Sequence, residues 1–155
     1  MRPLSQKTKY ALRALQVLSA CYGDGPVLIS DLAGQEDLPR KFLELILLQL
    51  KNNGILESKR GKGGGYRLRR DPKTVTLGQV IRIFEGPLAP IPCVSETAFR
   101  KCDECEDIAT CGTRLVMREV RDATAQILDH TSLADLARKV EEVTAERARD
   151  PMYHI

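Results

Sequence analysis

The chain has 155 residues, 43% of them hydrophobic and 29% charged, with a formal net charge of +3. That is the composition of an ordinary soluble globular chain, one domain or one domain with an appendage. The longest apolar run, in FLELILLQL, is interrupted and far short of the ~20 residues a membrane span needs. The opening MRPLSQKTKY has charge but no apolar signal-peptide core. A cytoplasmic protein without a membrane partner is therefore expected. Charge is uneven: residues 1–70 hold 13 Lys/Arg against 6 Asp/Glu, and residues 71–155 hold 11 against 15. A basic first half is either a face for a polyanion or a solvated charged surface.

Taken in order, Ser5 is a suitable N-cap for a helix to about Tyr22, with Tyr10, Ala11, Ala14, Leu15, Leu18 and Cys21 on one face. Cys21 on that stripe reads as a small hydrophobe. Gly23-Asp24-Gly25-Pro26 breaks the helix. Val27–Ile29 is a short extended piece, Ser30 can cap a helix over Asp31–Gln35, and Gly34-Gln35-Glu36-Asp37 is the expected turn into the next helix. Two helices joined by a short glycine-containing turn form a helix-turn-helix.

The stretch from Asp37 to Arg70, DLPRKFLELILLQLKNNGILESKRGKGGGYRLRR, organises the chain. Pro39 suits a first helical turn. Leu43, Ile46, Leu47 and Leu50 give one apolar face, and Asn53-Gly54 ends the helix. Ile55–Arg60 and Tyr66–Arg69 read as short strands whose Leu56 and Leu68 face the helix. The tip between them is GKGGG, with Lys59, Arg60, Lys62, Arg67, Arg69 and Arg70 around it. This is the pattern of a winged helix-turn-helix that reads DNA. Pro39, Arg40, Lys41 and Glu44, near the start of the helix, are placed to meet base edges in the major groove. Lys59, Arg60, Lys62 and Arg67 would neutralise phosphates, with Gly63 and Gly64 allowing close backbone approach and Tyr66 beside them. As a nucleotide loop GKGGG fails, because it lacks the GxxxxGK[ST] spacing and leads into a strand.

Beyond Asp71-Pro72, Thr74 or Thr76 can cap a helix through Glu85 that points Leu77, Val80, Ile81 and Phe84 inward, and Gly86-Pro87 stops it. A long loop follows with Cys93, Cys102, Cys105 and Cys111, spaced C-x8-C-x2-C-x5-C. Structural zinc, an iron–sulfur cluster (2Fe-2S or 4Fe-4S) and a thiol–disulfide switch all suit four clustered thiols, and the spacing does not separate them. An enzyme using Cys102 and Cys105 as a dithiol pair is the weakest alternative. Only Cys111 stands near a helix start that could activate a thiol.

From Ile108 or Cys111 a long helix is expected to Asp129. Val116, Val120, Ala123 and Ile127 repeat at spacings of four, three and four, with Met117, Thr124 and Leu128 on the shoulder. The winged unit has its own core, so this seam calls for a second copy of the chain. Thr131 or Ser132 then caps a last helix carrying Leu133, Leu136, Val140 and Val143, and the end, with His154, reads as a frayed tail. The expected fold is mainly α with a small β-hairpin wing: a winged helix-turn-helix plus a long C-terminal dimerisation helix. It divides into a DNA-binding unit (1–86), a cysteine-bearing sensor loop (87–111), dimerisation helices (112–147) and a tail (148–155).

The opening KTKYALRAL, the block FLELILLQLKNNGILESKRGKGGGYRL, the helix LGQVIRIFEGP and cysteines before a long helix resemble the Rrf2 family of bacterial transcription regulators, over about residues 1–140. The resemblance implies a non-enzymatic homodimeric regulator, expected to act as a repressor, reading a palindromic operator in double-stranded DNA. It also implies an iron–sulfur cluster on three loop cysteines, sensing iron, cluster supply, nitric oxide or redox state. Cys93 follows the GPL segment as the family's first ligand does, and Cys111 opens the long helix as the third does. The middle ligand is either Cys105, which has the family's gap to Cys111, or the adjacent Cys102, equally placed chemically; the extra cysteine is then a fourth ligand or a spare thiol that exchanges on cluster loss. Two fourth-ligand schemes of the family are missing. The histidine three residues after the last cysteine is Arg114 here, and the N-terminal carboxylate position falls in Lys7-Thr8-Lys9. A sulfur-metabolism branch works through a protein partner without cluster cysteines, and these four cysteines set the sequence apart from it.

Overall fold

Ser5 opens the first helix as its position requires, its Oγ accepting from the Thr8 amide at 3.2 Å. Helix α1 then runs Gln6–Ala20 in the computed structural model, which describes residues 3–36 and 39–149. Ala11, Ala14, Leu15 and Leu18 are buried, and Cys21 is half-buried at the C-cap. Helix α2 spans Ile29–Glu36, a wider span than Asp31–Gln35. Its start is set by the Leu28 carbonyl, which accepts from the amides of both Asp31 and Leu32 at 3.1 Å. Ser30 therefore sits inside the first turn rather than capping it, and Gly34 is helical rather than part of the turn. Asp37, the last residue of that expected turn, lies outside the described residues.

Helix α3 covers Arg40–Asn52, with Pro39 as its N-cap rather than its first helical residue. Pro39 has ψ 114°, and its carbonyl takes the amides of Phe42 and Leu43. At the other end Gly54 has φ 72°, its amide reaches the Lys51 carbonyl, and the Ile55 amide reaches Leu50. That pair of bonds is a Schellman cap, sealed by burial of both Leu50 and Ile55.

The hairpin pairs β1 (Leu56–Lys59) with β2 (Gly65–Leu68), antiparallel, in the register Leu56↔Leu68 and Glu57↔Arg67. Leu56 and Leu68 are both buried, as the alternation predicts. The extended piece at Val27 supplies what the sequence did not disclose, a third partner for the sheet. Val27 and Tyr66 exchange backbone hydrogen bonds at 2.8 and 2.9 Å. Gly64 is buried in the tip turn, where a Cβ would come 2.5 Å from the Lys59 carbonyl. The hairpin's own turn therefore requires glycine there.

A 3-10 turn, Pro72–Thr74, leads to α4 (Leu77–Glu85), capped by Thr76 through the Gln79 amide at 3.2 Å. Glu85 docks on the start of α1, accepting from the Ser5 amide at 2.9 Å, from Ser5 Oγ at 2.7 Å and from the buried Thr8 hydroxyl. A carboxylate at a helix N-terminus is electrostatically favoured.

The two long helices are α5 (Gly112–Asp129) and α6 (Leu133–Arg149). Ser132 caps α6 reciprocally: its Oγ accepts from the Asp135 amide, and its own amide donates to Asp135. Helix α6 continues past 147 to Arg149, and residues 150–155, with His154, lie outside the described residues. Leu133 is fully buried in the core of the N-terminal unit, held there by a bridge between Thr76 and Ser132 and by the bond from the Leu133 amide to the Val75 carbonyl. The base of α6 is thus part of the same core as α1, α3 and the hairpin.

Candidate functional site

The face expected to meet DNA is exposed where its charges are. Pro39, Arg40, Lys41 and Glu44 all lie at the surface around the start of α3. Arg40 approaches Glu44 at 3.5 Å, one helical turn on. Lys59, Arg60, Lys62 and Gly63 form the exposed tip of the hairpin, and those three cations make no ion pair among the described residues. Arg67 differs. It faces Glu57 directly across the sheet and donates to it at 2.5 Å, so part of its charge is answered within the hairpin. Tyr66 is half-buried against the core and is tied to Val27.

The cysteine loop brings together fewer groups than its spacing allows. Cys93, in the 3-10 turn Pro92–Val94, is buried, and Cys102 is near enough to act on its thiol. Burial, with Cys102 second, pushes the Cys93 thiol above its ordinary pKa. Cys102 and Cys105 share one turn, the Cys105 amide bonding the Cys102 carbonyl at 3.2 Å. Cys111 is the N-cap of α5 and uses only its carbonyl there, accepting from Leu115. Four thiols are the donor set of a zinc or iron–sulfur site. Their arrangement is not one, since among the described residues no three His, Cys, Asp or Glu converge to hold a metal.

What the loop does share with α5 is a clasp. Arg114 Nε donates to the Cys93 carbonyl at 3.2 Å, and its Nη1 reaches the Ile108 carbonyl at 3.5 Å. One heptad on, Arg121 donates to the Val94 carbonyl at 3.0 Å and pairs with Glu96 at 3.1 Å, its side chain only 15% exposed. Further along, Asp129 at the end of α5 is gripped by both guanidinium nitrogens of Arg82 on α4, at 2.5 and 2.9 Å. Gly78 lies under this pair, where a Cβ would stand 1.9 Å from Asp129 Oδ1. The sequence reading missed both arginines as functional groups. Their seven-residue spacing on one helix face was the available signal.

The seam residues Val116, Val120, Ala123 and Ile127 are all exposed, and α5 has no fully buried residue. On α6, Val140 and Val143 are exposed as well. Among the described residues no helix is long and apolar enough to cross a membrane.

The model of the Rrf2 family, described as an iron-dependent transcriptional regulator, matches residues 4–139. The chain belongs to the Rrf2 family. An Rrf2-like HTH-type transcriptional regulator of Rhodobacter capsulatus is 38% identical over 136 residues, 86% of this chain and 91% of that one. The HTH-type regulator CymR of Bacillus subtilis is 34% identical, over 86% of this chain and 88% of its own. The solved structure of CymR, the global cysteine regulator of B. subtilis, superposes with a TM-score of 0.75 at 33% identity, covering 90% of this chain and 98% of that one. That of T. potens IscR gives 0.71 at 29% identity, covering 92% and 90%. This Rrf2 chain is accordingly a DNA-binding transcriptional regulator with a winged-helix fold, and not an enzyme. Overall likeness extends to both CymR and IscR.

Proposed function

We propose that the chain is a homodimeric, cytoplasmic repressor whose grip on a palindromic operator is set by the state of Cys93, Cys102, Cys105 and Cys111. Helix α3 enters the major groove with Arg40, Lys41 and Glu44 foremost, and Lys59, Arg60 and Lys62 on the hairpin sit on phosphates. The observation that carries the reading is the clasp of Arg114 and Arg121 on the carbonyls of Cys93 and Val94. It ties the cysteine loop to the helix that bears the dimer seam. A change in the loop's backbone then alters α5, and α5 is tied by Asp129 to α4 of the DNA-binding unit. A difference of about 1–3 kcal/mol between loop states corresponds to a ~5–150-fold change in operator affinity.

The loop's occupant in this proposal is an iron–sulfur cluster, as membership of the Rrf2 family implies, with Cys93, Cys111 and either Cys105 or Cys102 as ligands. Such a group supplies redox- and oxygen-sensitive iron–thiolate bonds. Binding it would bring those three thiols together. A second reading, a thiol–disulfide switch, is favoured by the nearness of Cys102 to the buried Cys93 thiol; structural zinc is the third occupant the donors allow. Anaerobic purification followed by visible absorbance and metal analysis separates them. Iron with sulfide and visible bands is expected. Colourless protein holding zinc, or metal-free protein that loses two thiols on oxidation, overturns the cluster in favour of the corresponding alternative.

A further inference from the structure

The outer face of α3 carries two leucines that the fold leaves uncovered, Leu45 at 59% exposure and Leu48 at 48%. With Lys41 they form a stripe at i, i+4 and i+7, opposite the fully buried Leu43, Ile46, Leu47 and Leu50. The exposed apolar groups of α5 have a different character, since they lie on a seam for which a second copy of the chain is the proposed cover. Leu45 and Leu48 instead stand among charges, one helical turn from Lys41 and Glu44 respectively. A surface with cations around an apolar ridge suits a polyanion that offers a small apolar feature.

Duplex DNA offers one such feature in the major groove, the 5-methyl group of thymine. We propose that Leu45 reads thymine by contact with that methyl, with Leu48 flanking it one turn further along α3. Both are then specificity-determining residues of the operator contact. The proposal rests on α3 being the groove-entering helix. Lys41 to Leu48 spans about 10 Å of helix axis, so the charged first turn and the leucine ridge reach neighbouring base pairs of one half-site. The pairing also explains why an apolar ridge is tolerated on a helix that otherwise exposes charge.

The test uses the full-length chain and duplexes selected by it from a randomised library. Each thymine of the selected half-site is replaced in turn by deoxyuridine, which removes only the methyl. For the wild type, at least one position should lose about 4-fold in affinity per methyl. Leu45→Ala should bind the thymine and deoxyuridine duplexes equally. Both leucines are exposed, so the substitutions leave the core intact, and circular dichroism checks this. A half-site without thymine, a wild type indifferent to every deoxyuridine, or a penalty that persists in the Leu45→Ala/Leu48→Ala double variant overturns the assignment. If Lys41→Ala and Glu44→Ala also leave the selected consensus unchanged, the placement of α3 in the groove falls as well. A consensus that shifts in those variants without any methyl dependence sinks the leucines alone.

Discussion

In the N-terminal unit Leu15, Leu43, Ile46, Leu47 and Leu50 are fully buried by elements of their own chain, whereas α5 buries no residue completely and leaves Ile127 64% exposed. Both regions carry apolar residues at helical spacing. In the first, helices α1 to α4, the base of α6 and a hairpin surround one core, so each leucine removes its surface from water within the monomer. The seam of α5 has the same pattern with nothing folded over it. Periodicity therefore announces an apolar face in both places, and only the surrounding elements tell whether the chain covers it itself.

The largest effect that tests this contrast is Leu47→Ala. It should cost about 2–5 kcal/mol, the loss of transfer energy plus a cavity, read as a lower denaturant midpoint for the whole N-terminal unit. Ile127→Ala should instead leave the fold of the monomer intact. Its loss, about 1.5–3 kcal/mol per subunit if the residue is fully buried between copies, belongs in the dimer dissociation constant measured by sedimentation. An Ile127→Ala chain that dimerises as before removes the seam from the interface.

The junction between the two regions is tested by Gly78→Ala. The added methyl meets Asp129 and Arg82, so a cost of about 1–3 kcal/mol is expected. Asp129→Ala in the same chain should restore part of the loss in thermal unfolding. No rescue would mean that the crowding is with something other than the carboxylate.

The smallest effect is in acid. Hydrogen bonds from Thr8 first, then Ser5, hold the Glu85 carboxyl below its ordinary pKa. Its contribution to stability is therefore present above the unfolded glutamate's pKa and is lost as pH falls through the lower folded value. Melting temperatures taken between about pH 7 and about pH 3 should decline less steeply for Glu85→Gln than for the wild type. Parallel curves would show that this contact does not govern the acid limb.

Local chemistry accounts for what the sequence disclosed. Ser5, Thr76, Ser132 and Asn53-Gly54 mark helix ends by side-chain or backbone rules that need no distant partner, and the hairpin register follows from alternation of Leu56 and Leu68. Long-range pairings were hidden. Nothing in Val27 advertises a bridge to Tyr66, and nothing in Leu133 distinguishes it from Val140, yet one is in the core and the other at the surface. Pro39 and Ser30 were misplaced by a residue or so because the carbonyls of Pro39 and Leu28, rather than a side chain, start their helices. At the candidate site, the cations and cysteines were legible as residue types. Their placement relative to one another was not, because a loop's course depends on contacts outside it. Arg114 was visible only as a departure from a family histidine, and its hydrogen bonds give it a role of its own.

Arg114 and Arg121 hold the cysteine loop by its carbonyl oxygens, with no hydrogen bond from either to a thiol among the described residues. Every residue has a carbonyl, so such an attachment is indifferent to the side chains it carries. In the proposed regulator, replacing the exposed Cys102 would alter the chemistry of the input and leave this attachment in place. On the proposed function, a lineage built this way could exchange one stimulus for another by altering a few side chains, while the attachment of the loop to α5 stays the same.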